Sequence, residues 1–225
     1  MTTFVLVPGA GGHGAYWNRL APELERRGHD VVAVDIPEHE PGSHLADWAV
    51  HVERAAHGRA DIVLVAQSLG GFLAPLVRLP VRMIVLLNAM IPLPGETPDQ
   101  WWGNTDSGAA RLAAAERDGR DPDFSLQNDF LHDVPADAAA ELLAGETREP
   151  AESAMSDPCA FKNWPAVPIR VLVGRDDRFF PADFQCRVAQ ERLGVEADEI
   201  AGGHLVALAN PTGLADRLVG YATAQ

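Results

Sequence analysis

Positive charge, cysteine and long apolar runs are all scarce in this sequence, and each shortage removes a class of function. Lys and Arg together number 18 against 32 Asp and Glu, a formal net charge of −14. So acidic a surface repels a phosphate polyanion, which argues against nucleic acid or an anionic membrane as a partner but says nothing against small uncharged molecules. The two cysteines, Cys159 and Cys186, lack CxxC spacing and read as reduced, partly buried thiols. No run of about 18 apolar residues occurs, so no membrane span is expected. A strand-like run begins at residue 4, leaving no space for a charged segment followed by a long apolar one, and the expectation is a soluble, cytoplasmic protein. No histidine pair has metal-ligand spacing, so no metal site is expected.

What is present is an alternation of short β-rich runs with helix-period segments, the pattern of βαβ units feeding a parallel sheet. The runs are FVLVP (4–8), DVVAVD (30–35), DIVLVAQ (61–67) and RMIVLLN (82–88), followed later by PIRVLVG (168–174) and ADEIAG (197–202). A helix ending at Gly28 is delayed or kinked by Pro22, and a second carries Leu45, Trp48, Val52 and Ala56 on one face, with Ser43 as its N-cap. Residues 91–165 break the rhythm with Ala-rich helical stretches and with Trp101, Trp102, Phe124, Phe130, Phe161 and Trp164. This reads as a helical lid inserted in a single domain spanning 1–225, overhanging the carboxyl ends of the strands where open α/β sheets bind ligands. Its aromatics either line that crevice, Trp101, Trp102 and Phe130 among them, or form the insertion's own core.

Two motifs compete for the chemistry. GAGGHG, Gly9 to Gly14, follows the first strand and spells GxGxxG, with Asp35 at the end of the next strand near the spacing of a ribose-binding acid. That pattern alone predicts a nicotinamide dinucleotide. AQSLG, in contrast, runs a strand straight into Ser68, with Ala66 two before it and Gly70 two after. A strand, sharp turn and helix in that order form a nucleophile elbow: the serine takes a strained backbone conformation and its neighbours must be small. By itself, Ser68 reads equally as a helix N-cap.

A hydroxyl is a poor nucleophile at neutral pH and needs a base oriented by a carboxylate. RDDRFFP supplies Asp176 and Asp177 after the fifth strand, and GHL supplies His204 after the sixth. All three loops end strands on one edge of the sheet, in the order serine, acid, histidine. His132, in NDFLHDVP, sits in the insertion, within reach of the same crevice or as a structural hydrogen-bonding residue.

PGAGGHGAYW, VVAVDIPEH, AQSLGG, GRDDRFFP and GGHLVALANP resemble successive blocks of the α/β-hydrolase superfamily, and the similarity extends over nearly the whole chain. The compact form is most similar to the small esterases of the plant methylesterase and hydroxynitrile lyase branch and to their bacterial relatives. The resemblance implies a three-layer α/β-hydrolase fold and no cofactor, with a small-molecule ester as substrate. It selects Asp177, three after Gly174 and four before Pro181, over Asp176. It also implies an oxyanion hole formed by the backbone N–H groups of Leu69 and Ala10, although Pro8 replaces the histidine of the family's His-Gly pair.

Rival functions remain distinguishable. The lyase chemistry of that branch looks to a lysine beside the histidine, whereas Leu205 follows His204 and the sole lysine is Lys162. A ligand receptor could retain the fold and triad without turnover.

Overall fold

The computed structural model describes residues 1–145 and 148–224. All six expected strands form, as β1 (Thr3–Val7), β2 (Asp30–Ala33), β3 (Ile62–Gln67), β4 (Val81–Leu87), β5 (Ile169–Gly174) and β6 (Asp198–Ile200). They pair in parallel in the order β2-β1-β3-β4-β5-β6. The chain passes from β1 to β2 on one side and returns to β3 on the other. The sheet therefore reverses direction between β1 and β3, the kind of point where a crevice opens beyond the carboxyl ends of strands.

Both faces are covered, which explains why the strands read as continuous apolar runs. Val5, Val7, Leu64, Ala66, Ile84 and Leu86 point into one buried cluster, and Phe4, Leu6, Val63, Val65, Val85 and Leu87 into the other. On the first face lie α2 (Leu45–Ala55) and α8 (Ala182–Leu193); on the second lie α1 (Leu20–Arg26), α9 (Val206–Ala209) and α10 (Pro211–Thr223). The first helix starts late, so that Pro22 occupies its first turn, where a missing N–H breaks no intrahelical bond. The expected apolar face of α2 is buried, but its N-cap is His44. Asp47 accepts the His44 N–H at 2.9 Å, and Ser43 is drawn away to accept from the Trp48 indole at 3.0 Å.

Between β4 and β5 the described residues form five helices: α3 (Pro98–Thr105), α4 (Ser107–Arg117), α5 (Leu126–Asp129), α6 (Ala136–Ala144) and α7 (Glu152–Met155). A buried ion pair anchors the start of this segment to α8. Arg192 donates to Glu96 at 2.5 and 3.0 Å and to the Ile91 carbonyl at 2.6 Å. Asn104 and the Leu93 N–H complete the shell of Glu96. Burial pushes the Glu96 carboxyl up, but these donors outweigh it and hold the group below its ordinary range. Arg192→Met should therefore strand a buried carboxylate, and an equilibrium urea titration should show a loss of about 3 kcal/mol.

Candidate active site

The crevice at the β1/β3 reversal is a cavity of ≈ 430 Å³ that gathers residues from the connections following β1, β3, β4, β5 and β6. Ser68 sits on its wall immediately after β3, with φ of +50°. For a residue with a side chain this left-handed conformation is strained, and the surroundings enforce it. A Cβ at Gly70 would stand 2.4 Å from the Pro8 carbonyl oxygen, and one at Gly71 2.2 Å from that of Met90. The turn is thus wedged between the ends of β1 and β4 and tolerates no side chain there.

The helix expected behind the serine is a 3-10 turn over Ser68–Phe72. Two poor helix formers, Gly70 and Gly71, followed by Pro75, prevent a longer one. A helix this short sums few peptide dipoles, so negative charge at Ser68 must be met by individual N–H groups. Leu69 and Ala10, the residues expected to supply them, both line the cavity.

The structure brings Asp177, and not Asp176, onto His204. The Asp177 Oδ2 lies 2.8 Å from His204 Nδ1, and both side chains are buried. The carboxylate is held on every side: Oδ1 accepts from the Phe179 and Phe180 N–H groups at 2.9 Å each, and Oδ2 also from Gln185 at 3.1 Å. Asp176 instead accepts the Gly202 N–H at 3.1 Å and lies beside Arg175. The histidine loop is tied down by Asn88, which donates to the carbonyls of Gly203 and His204 at 3.0 Å each and accepts from Gly174. Neither Asn88 nor Gln185 is signalled by sequence: Asn88 acts across 115 and 116 residues, and Gln185 reaches from α8 back to the loop before it, a contact that no motif spacing encodes.

The other ring nitrogen, His204 Nε2, is buried and has no hydrogen-bond partner among the described residues. Its ring is flanked by Phe130, Phe179 and Phe180 at centroid separations of 4.8, 5.3 and 5.2 Å. Ser68 and His204 line the same cavity.

The remaining wall is apolar, built chiefly from Met90, Trp102, Phe124, Phe130, Met155 and Phe179, and no Asp, Glu, Lys or Arg among the described residues lines it. The aromatic insertion therefore divides between the two roles expected of it. Trp102, Phe124 and Phe130 face the cavity, whereas Trp101 is core: it stacks near Phe180 and Phe184, and its indole donates to the Ile91 carbonyl at 3.1 Å. Phe161 and Trp164 pair with each other away from the cavity. His132 also lies elsewhere, in a polar cleft behind the Asp177 loop, where burial holds its pKa down. Trp101 and His132, each read from sequence as either a cavity residue or a structural one, thus both lie outside the lining of this cavity. Tyr16 and Leu205, which sequence reasoning passed over, do border it.

The glycine loop is engaged from within the chain. Gly11 N–H donates to Glu38 and Gly14 N–H to Asp35, each at 2.9 Å, and Arg148 pairs with Asp35 at 3.1 Å. Asp35 is thereby committed to the loop, in contrast to the ribose-binding part that GxGxxG suggested. Lys162 is exposed and does not line the cavity, so the lyase reading lacks its lysine.

An all-parallel sheet with a strained serine at the end of a central strand, opening onto a buried His–Asp pair, defines the α/β-hydrolase class. A family model described as the alpha/beta hydrolase family matches residues 4–217, and the chain belongs to that family. It is 34% identical over 113 residues to the pyrethroid hydrolase of Sphingobium wenxiniae. That match covers 44% of this chain and only 40% of the relative's length. Among solved structures, the pyrethroid hydrolase of Sphingobium faniae superposes with a TM-score of 0.76 at 21% identity, over 99% of this chain and 98% of that one. Polyneuridine aldehyde esterase superposes with a TM-score of 0.76 at 19% identity over 99% of both chains. These two likenesses establish the fold. Among the described residues, no helix is long and apolar enough to cross a membrane.

Proposed function

We propose that the protein is a serine carboxylesterase acting on a small to medium, uncharged ester. The observation that carries this reading is the buried, unpartnered Nε2 of a histidine whose Nδ1 is bonded to a buried carboxylate, on the wall of a cavity that also contains a strained serine. Buried polar atoms nearly always have partners, so an orphan at this place is best explained by a role in moving a proton.

In the mechanism, Ser68 Oγ attacks the ester carbonyl as His204 Nε2 takes its proton. Asp177 holds the ring in the tautomer with Nδ1–H and stabilises the imidazolium. The tetrahedral oxyanion is met by the N–H groups of Leu69 and Ala10. His204 then protonates the leaving alcohol, and a water attacks the acyl-enzyme by the same path in reverse. Residues 91–165 serve as the lid that shapes the pocket within a single domain. The two free thiols, Cys159 and Cys186, suit a cytoplasmic location.

The relatives named pyrethroid hydrolase and polyneuridine aldehyde esterase agree with an ester site, and the cavity wall independently supports an apolar one. A substrate carboxylate would be desolvated there without a partner, so p-nitrophenyl butyrate should be turned over with kcat/KM at least about 10²-fold above p-nitrophenyl hemisuccinate. Equal rates would remove the argument from the wall. Tight binding of such esters with no release of p-nitrophenol would favour the receptor reading instead.

A further inference from the structure

The donor assigned to Ala10 lies in a loop that owes its shape to one buried side chain. Gly9 O accepts the Gly12 N–H at 3.1 Å, closing a turn around Ala10 and Gly11. Because the peptide between Gly9 and Ala10 is planar and trans, bonding its carbonyl into the turn directs the Ala10 N–H the opposite way. The next peptide along is held by Glu38, whose Oε2 accepts the Gly11 N–H at 2.9 Å. The two peptide planes flanking the Ala10 Cα are therefore each fixed by a hydrogen bond, one local and one to Glu38.

The connection after β2 is built to deliver this carboxyl. Ile36 N–H donates to the Gly12 carbonyl at 2.8 Å, and Gly12 has φ of +65° with no room for a side chain, since a Cβ would meet the Ile36 oxygen at 2.1 Å. Glu38 is only 1% exposed. Burying a carboxyl this deeply is costly unless it is hydrogen-bonded, and the Gly11 N–H supplies such a bond. The backbone of Glu38 also receives the Ala151 N–H at 2.7 Å, which joins the loop to the end of the lid.

We propose that Glu38 is a positioning residue for the oxyanion donor: by accepting the Gly11 N–H it sets the plane beyond Ala10 and so aims the Ala10 N–H at the developing oxyanion. This rests on the serine-esterase reading above. Its burial also gives it a titration of its own. Desolvation, only partly offset by the Gly11 N–H and Arg148, raises the carboxyl to about 8. The charged group acting on it is Arg148, which is itself paired with Asp35 from the same connection as Glu38. In the neutral form it braces the loop without charge. Above pH 8 it places a negative charge beside the forming oxyanion, which should slow the reaction.

The test uses the full chain with p-nitrophenyl butyrate, and an alkyl trifluoromethyl ketone as a mimic of the tetrahedral adduct. Glu38→Leu should lower kcat by about 10²-fold, as expected for a misplaced oxyanion donor, with KM changed by less than about threefold. Affinity for the ketone should fall in step with kcat/KM. Glu38→Gln keeps an acceptor oxygen and should restore kcat to within about fivefold of the parent. It should also abolish a decline of kcat/KM above pH 8 present in the parent. Wild-type kcat in Glu38→Leu, or a Gln variant no better than Leu, overturns the proposal. Should the Leu variant not fold, the Gln pH profile decides: the same alkaline decline in both proteins overturns it. Ser68→Ala is run alongside. If that variant retains turnover, it is the serine reading that has failed and not the positioning role.

Discussion

Ser68→Ala should lower kcat for ester hydrolysis by on the order of 10⁶-fold, the scale of loss when the serine of a Ser-His-Asp unit is removed. The cause is chemical, since without Oγ no acyl-enzyme forms, and His204 and Asp177 have no proton to move. Residual turnover would come from the oxyanion donors and binding alone. Folding should be unaffected. The serine is strained at φ of +50°, and alanine in its place keeps the backbone and loses only the hydroxyl. A fluorophosphonate probe gives a direct measurement: the parent should be labelled and the variant not. Equal labelling of both proteins, or of neither, would exclude Ser68 as the nucleophile.

Asp177→Asn should cost about 10⁴-fold in kcat, because the amide can donate to Nδ1 and so stabilise the wrong imidazole tautomer. Asp176→Asn should stay within a few-fold of the parent, since the side chain bonds only to the Gly202 backbone and lies near Arg175. The two carboxylates are neighbours in sequence, so this pair of variants isolates geometry from local charge. A larger loss at Asp176 would show that the 2.8 Å contact of Asp177 with His204 is structural. Asp177 also accepts from two backbone N–H groups and from Gln185, so the Asn variant needs a thermal melt to separate lost catalysis from a loosened loop.

Much of this site could be read from the chain without coordinates. The strand runs carry the sheet because both faces are buried and the apolar pattern is unbroken. The strand-to-turn position of Ser68 is legible because Gly70 marks a close backbone approach. The acidic pair Asp176 and Asp177, and His204, follow because each comes shortly after a strand and the carboxyl ends of parallel strands share one edge; the choice of Asp177 within the pair came from the family resemblance. What could not be read depends on contacts that no local spacing encodes. Gln185 and Asn88 are 8 and 116 residues from the partners they hold, Asp177 and His204, and no local pattern announces either.

The glycine loop shows where the boundary lies. GAGGHG determined, as sequence, that backbone N–H groups would gather beyond the first strand, because glycine takes the φ of +96° and +65° found at Gly11 and Gly12 without strain. It could not determine what those groups would face, and the same letters served equally for a dinucleotide. The tertiary structure decided that by folding the connection after β2 back under the loop. There Asp35 and Glu38 accept two of the N–H groups, leaving Ala10 beside Ser68 on the cavity wall. The aromatic insertion divides in the same way. Composition supplied six rings, but which of them line the pocket was set by how α3 and α5 pack onto the Asp177 loop. Sequence determines which groups are available and what backbone they permit. Packing alone determines which of them meet, since burial and hydrogen bonding are satisfied over the whole chain at once.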